Sequence, residues 1–149
     1  MNYFMPAERP FMALVDDDFH SARMLTRMLL AHGAPSVRWL DGATAAKLEL
    51  GALMSAEQAV LPSLVIVDLK ATSTATREFV VALRALPRAD ELLIVAMAAT
   101  LERPERDALL EVGADAVFER HAEVDAYRRE AANLVRFWVR NQRLSAIGT

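Results

Sequence analysis

The sequence contains no cysteine, which removes disulfides, thiolate metal sites and cysteine nucleophiles together. Only five glycines occur in 149 residues. No G-x-G-x-x-G, G-x-x-x-x-G-K-[ST] or G-x-S-x-G can be found, so phosphate-cradling loops and a serine-hydrolase elbow drop out. There is no excess of basic charge: 17 Lys and Arg face 20 Asp and Glu, for a net charge of −3, which argues against direct nucleic-acid binding by bulk charge. No apolar run approaches the roughly 18–20 residues of a membrane span. The opening MNYFMPAERP lacks a basic start followed by an apolar stretch, so no signal peptide is expected, and a cytoplasmic location is.

What is present is apolar material in a regular order. Hydrophobic residues make up 54% of the chain, enough for one full core and too many for a disordered segment. Short β-branched runs alternate with longer amphipathic stretches. The runs are Phe11–Val15, Ser36–Leu40, Leu64–Val67, Leu92–Met97 and Ala116–Phe118. Helices are predicted over Phe19–His32, Ala43–Leu53, Thr76–Leu86, Glu102–Val112 and Glu123–Leu144. Leu64-Val65-Ile66-Val67 is continuously apolar, as a strand buried on both faces requires. Ser36–Leu40 is weaker and reads as an edge. Five strands alternating with five helices predict a single α/β domain, a five-stranded parallel sheet covered on both sides. Residues 1–9 read as a flexible arm, 10–144 as the domain and 145–149 as a tail.

In an open parallel sheet the ligand crevice lies beyond the carboxyl ends of the strands. Asp16 and Asp17 end the first strand and Asp68 ends the third, so three carboxylates should converge at one edge. Close like charges repel unless a cation joins them, and hard oxygen donors suit Mg²⁺. Strand-end aspartates also serve as helix caps; Asp18, directly before the first helix, reads as its N-cap.

Phe11–Asp18 (FMALVDDD), Leu64–Lys70 (LVIVDLK) and Gly113–Arg120 (GADAVFER) together resemble the receiver domain of two-component response regulators. The resemblance spans about Pro10 to Arg140. It implies a flavodoxin-like strand order, with Asp68 as phosphoacceptor. Asp16, Asp17, Asp68 and the Lys70 backbone carbonyl would be the Mg²⁺ ligands. It also implies a histidine kinase or phosphotransfer protein as donor, and signalling by protein–protein contact with no enzymatic activity beyond Mg²⁺-dependent self-phosphorylation and dephosphorylation.

The departures from the family pattern concern switching. Ala98 stands where the family has Thr or Ser, Arg120 where it has Lys, and His121 where it has proline, so a trans bond is expected there. Val117 replaces the switch aromatic, and strand alternation sends Phe118 to the other face. Ala71, Thr72 and Thr76 replace the usual Met-Pro and later Gly. Thr100 could stand in for the missing hydroxyl only if its loop bends back. The implied function is a phosphoacceptor receiver; the alternative is a degenerate receiver acting as a constitutive binding or dimerisation module, with Arg120 as internal counterion. A Mg²⁺-dependent phosphatase would need a second Asp two residues after Asp68, where Lys70 stands.

His20, His32 and His121 fall on separate elements and are not expected to share a metal. Thr72, Ser73, Thr74 and Thr76 read as a polar turn beside Asp68. Arg128, Arg129, Arg136, Arg140 and Arg143 read as the solvated face of the final helix. Phe137 lies off its core face and Trp138 comes late in it. An exposed aromatic pair there predicts a partner surface, in this family a homodimer through helix 4, strand 5 and helix 5.

Overall fold

Strand β1 (Phe11–Asp16) is buried at every position, as is β3 (Leu64–Asp68), and these two pair in the middle of the sheet. β2 (Ser36–Asp41) lies outside β1 and alternates exposed and covered residues, the pattern of an edge strand. β4 (Ile94–Ala98) and β5 (Ala116–Glu119) complete a parallel sheet in the order β2-β1-β3-β4-β5. The structure, a computed structural model, describes residues 10–148, with side chains through 142. The arm expected at 1–9 lies outside the described residues.

The helices are α1 (Phe19–Ala31), α2 (Gly42–Ser55), α3 (Ala75–Arg84), α4 (Arg103–Glu111) and α5 (Val124–Gly148). α5 runs past Leu144, where the pattern was expected to end, and takes in most of the expected tail. A short 3-10 turn, Ala89–Glu91, precedes β4 and has no apolar periodicity to announce it.

Strand alternation sorts the core into two layers. Met12, Leu14, Leu64, Ile66, Val95 and Met97 face α1 and α5, meeting Leu25, Leu29 and Leu134. Ala13, Val15, Val65 and Val67 face the other way, against Leu50, Phe79 and Leu83 of α2 and α3. Ala96, Ala98 and Val117 continue that face under Leu109 of α4. Each fully buried aliphatic side chain here contributes about 1.5–3 kcal/mol.

Phe118 packs with the α5 layer and Val117 with the α4 layer, on opposite faces as alternation requires. The expected exposed aromatic pair is not observed. Phe137 is half-buried and stacks edge-on against Phe118, with centroids 6.0 Å apart. Trp138 is half-buried too, and its indole N–H donates to Ser63 Oγ at 3.1 Å. The sheet's far end and the segment before β3 cover what the helix alone left open.

Candidate functional site

The parallel register of β1 and β3 sets Asp16 beside Asp68 as cross-strand partners. In-register residues of neighbouring parallel strands point to the same face about 4.8 Å apart, so the two carboxylates must share one space. Both are completely buried. Two ionised carboxylates cannot sit there uncompensated.

Compensation comes from two basic side chains. Lys70 curls back from the β3–α3 loop, and its ammonium donates to Asp16 Oδ1 at 2.7 Å and to the Asp68 backbone carbonyl at 2.9 Å. The same nitrogen is 3.3 Å from Asp68 Oδ2, an ion-pair distance without hydrogen-bond alignment. Arg120, at the end of β5, donates from Nε to Asp68 Oδ1 at 2.8 Å. Its own backbone N–H is held by the Ala98 carbonyl at 2.7 Å, which fixes where the side chain starts. Asp16, Lys70, Asp68 and Arg120 form an alternating chain of charges that sums to zero.

Asp17 points elsewhere. Its two oxygens accept the backbone N–H groups of Lys70 and Ala71 at 2.9–3.0 Å, pinning the β3–α3 loop. Asp16 Oδ1 also accepts the Asp18 N–H at 2.9 Å, while Asp16 Oδ2 has no partner. Burial pushes the Asp16 carboxyl above its ordinary value; the Lys70 hydrogen bond opposes this and the Asp68 charge adds to it. Behind the pair, on α5, Tyr127 is buried with its hydroxyl unpartnered. Burial first, and then the Asp68 charge, hold its phenol protonated far above the ordinary range.

Among the described residues, no three acidic or imidazole groups converge as a ligand set for a metal ion. As arranged, the side chains do not fit a divalent cation between Asp16 and Asp68: an ammonium already lies in contact with both, and the third carboxylate is spent on loop amides.

The substituted positions fall around this cluster. Ala98, buried at the end of β4, offers no hydroxyl. Thr100 does not bend back: its Oγ1 accepts the Glu102 N–H at 3.2 Å, in the turn before α4. Residues 71–74 form a turn, and Thr76 is buried at the start of α3, bonded to both backbone groups of Leu69. No cis peptide occurs among the described residues. His121 lies 3.5 Å from Glu119, His32 caps its own helix through Met28 O, and His20 stacks by Phe19, so the three histidines stay apart. Asp18 caps α1 by accepting the Ser21 N–H at 3.0 Å. Arg128, Arg129, Arg136 and Arg140 are exposed on α5.

Two features of the site region escaped the sequence reading. One is the Lys70 side chain, read there only for its carbonyl; the signal was a lysine two residues after one of two converging strand-end aspartates. The other is a cavity of about 510 Å³ between the β3–α3 loop and α4, floored by Met97, Ala98 and Leu109 and edged by Lys70, Arg77 and Arg120.

The fold superposes on those of known proteins. The Mn²⁺-bound form of the response regulator Rcp1 matches at a TM-score of 0.69 and 16% identity, over 87% of this chain and 94% of that one. The phosphorylated cyanobacterial phytochrome response regulator RcpA matches at 0.72 and 16%, over 87% and 94%. A response regulator receiver domain from Rhodospirillum rubrum matches at 0.71 and 17%, over 87% and 93%.

The chain has the receiver fold.

No protein-family model and no curated protein sequence matches it. Asp16 and Asp68 close β1 and β3, as the apolar runs predicted, and Arg120 reaches Asp68 from the end of β5.

Proposed function

We propose that this chain is a signalling module of the receiver type that works by protein–protein contact, with its acidic pocket held neutral by Lys70 and Arg120 and without phosphoryl transfer. The alternating Asp16–Lys70–Asp68–Arg120 chain carries this reading. Asp68 is fully buried, both its oxygens face cations, and no hydroxyl stands at Ala98 to follow an added phosphoryl group.

A second reading has its own support. Arg120 places a fixed positive charge beside Asp68, where the oxygens of an arriving phosphoryl group would carry negative charge. Asp68 would then attack the phosphorus of a phosphohistidine on a histidine kinase or phosphotransfer protein. With the donor ring protonated at its other nitrogen, the P–N bond breaks, its electron pair stays on the ring, neutral imidazole leaves, and Asp68 becomes an acyl phosphate. Lys70 must first withdraw from Asp68 Oδ2 to uncover the attacking oxygen.

Intact mass decides between them, after incubation of the protein and of Asp68→Asn with Mg²⁺ and a small-molecule phosphodonor. The proposal expects no adduct on folded protein. An adduct on the wild type, absent from Asp68→Asn, overturns it in favour of the second reading.

A further inference from the structure

We propose that the Lys70 ammonium is a built-in cation that occupies the place of a divalent ion between Asp16 and Asp68, and that removing this one side chain creates a divalent-metal site. The inference deepens the reading of a self-neutralised pocket and rests on it.

Asp16 and Asp68 are in register, completely buried, and share the ammonium at 2.7 Å from Asp16 Oδ1 and 3.3 Å from Asp68 Oδ2. One oxygen on each carboxylate, Asp16 Oδ2 and Asp68 Oδ2, accepts no hydrogen bond although it is buried. A lysine offers three donors along fixed directions and cannot saturate two carboxylates. A divalent ion, which collects six or more oxygens at roughly 2.0–2.6 Å, would use both orphaned oxygens.

Charge explains why it does not enter while Lys70 is present. Three carboxylates, Asp16, Asp17 and Asp68, stand against Lys70 and Arg120, leaving a net −1. A divalent ion would turn this into +1 in a buried space, and it would have to displace an ammonium tethered two residues from Asp68. Without Lys70 the same groups carry −2, which a divalent ion cancels. Lys70 also has a short path back, since its backbone N–H is held by Asp17 at 3.0 Å. The ammonium is therefore present at effectively high local concentration, whatever the metal supply outside.

The test uses Mn²⁺ as probe, with calorimetric titration, thermal unfolding and paramagnetic broadening of backbone amides. The wild type is expected to show no saturable binding at millimolar Mn²⁺ and no selective broadening at Asp16, Asp17 and Asp68. Lys70→Met is expected to bind Mn²⁺ at least about tenfold more tightly than the wild type and to gain thermal stability on binding. Adding Asp16→Asn to Lys70→Met should abolish that gain. Lys70→Arg, which keeps the charge, should exclude the ion as the wild type does. If Lys70→Met folds only with Mn²⁺ present, that also supports the proposal.

Saturable Mn²⁺ binding by the wild type at these residues overturns it, whether or not any variant folds. So does a Lys70→Met protein that gains no affinity, or one that stays unfolded with Mn²⁺ while Lys70→Arg folds. A phosphoryl adduct on wild-type Asp68 with Mn²⁺ still excluded would sink the functional reading and leave this inference standing.

Discussion

Arg120 Nε donates to Asp68 Oδ1 across 2.8 Å, joining the end of β5 to the end of β3 over the short side chain of Ala98. Asp68 is fully buried and Arg120 only partly exposed, so the bond is not a freely solvated surface pair. Arg120→Ala would leave Asp68 facing Lys70 alone. We expect a loss of about 2 kcal/mol in urea unfolding, the usual cost of stranding a buried charge, softened by the remaining lysine. Arg120→Lys should recover about half, since it keeps the charge and loses the planar fork. Wild-type stability in Arg120→Ala would contradict the role given to this pair.

Asp16 gives a prediction in pH. Burial, more than the neighbouring Asp68 charge, raises its pKa above the ordinary 3.8, and the Lys70 hydrogen bond only partly reverses this. A carboxyl raised on folding is bound to its proton more firmly in the folded state. Its contribution is therefore complete below about pH 3.8 and declines as pH rises through the elevated folded value. Asp16→Asn stays neutral throughout. The stability of the wild type minus that of Asp16→Asn should fall with rising pH across this window. Urea midpoints of both proteins over a pH series would show it, and a difference that climbs with pH would refute it.

Arg84 is a structural hub away from the candidate site. Its guanidinium donates to the carbonyls of Ala89, Leu92 and Gly113 and to Asp115 Oδ2, which also accepts the Ile94 N–H at 2.8 Å. Arg84→Ala should cost about 2–3 kcal/mol by freeing several part-buried acceptors together. Gly113→Ala should also destabilise, by about 1 kcal/mol or more. Its φ of +124° disfavours a side chain, and a Cβ there would meet Arg84 Cγ at 2.8 Å. Thermal unfolding of both variants checks this; unchanged midpoints would remove Arg84 and Gly113 from this role.

Phe137 supports β5 from inside the molecule. Phe137→Ala should lower stability by about 2 kcal/mol, less than the cost for a fully buried phenylalanine, because it loses the edge-on contact with Phe118 while its site remains half-open. Amide signals of Phe118 should move with it in NMR spectra. A variant that changes self-association without changing stability would return Phe137 to a surface role.

Much of this site was legible in the linear order. Asp16 and Asp68 each close an apolar β run, and two such runs in an alternating α/β chain neighbour one another in a parallel sheet. Asp18 was legible as a cap from its place alone. Val117 and Phe118 were assigned to opposite faces by alternation, and the structure puts them there. Lys70 was harder. A four-carbon side chain on a loop can reach in many directions, and only the position of both carboxylates fixes which one it takes. Phe137 and Trp138 were misread because a helix seen by itself shows which residues leave its core stripe and not what waits for them. Phe118 on β5 and Ser63 before β3 are distant in sequence and adjacent only after folding.

The sequence by itself determined the elements, their order, the sheet's buried centre and the gathering of aspartates at the strand ends, because each follows from periodicity and short-range stereochemistry. The tertiary structure alone decided how those aspartates are neutralised. Charge compensation in a buried space depends on distances of a few ångströms between residues up to 54 positions apart, as between Asp16 and Lys70. Those distances exist only once the strands are in register.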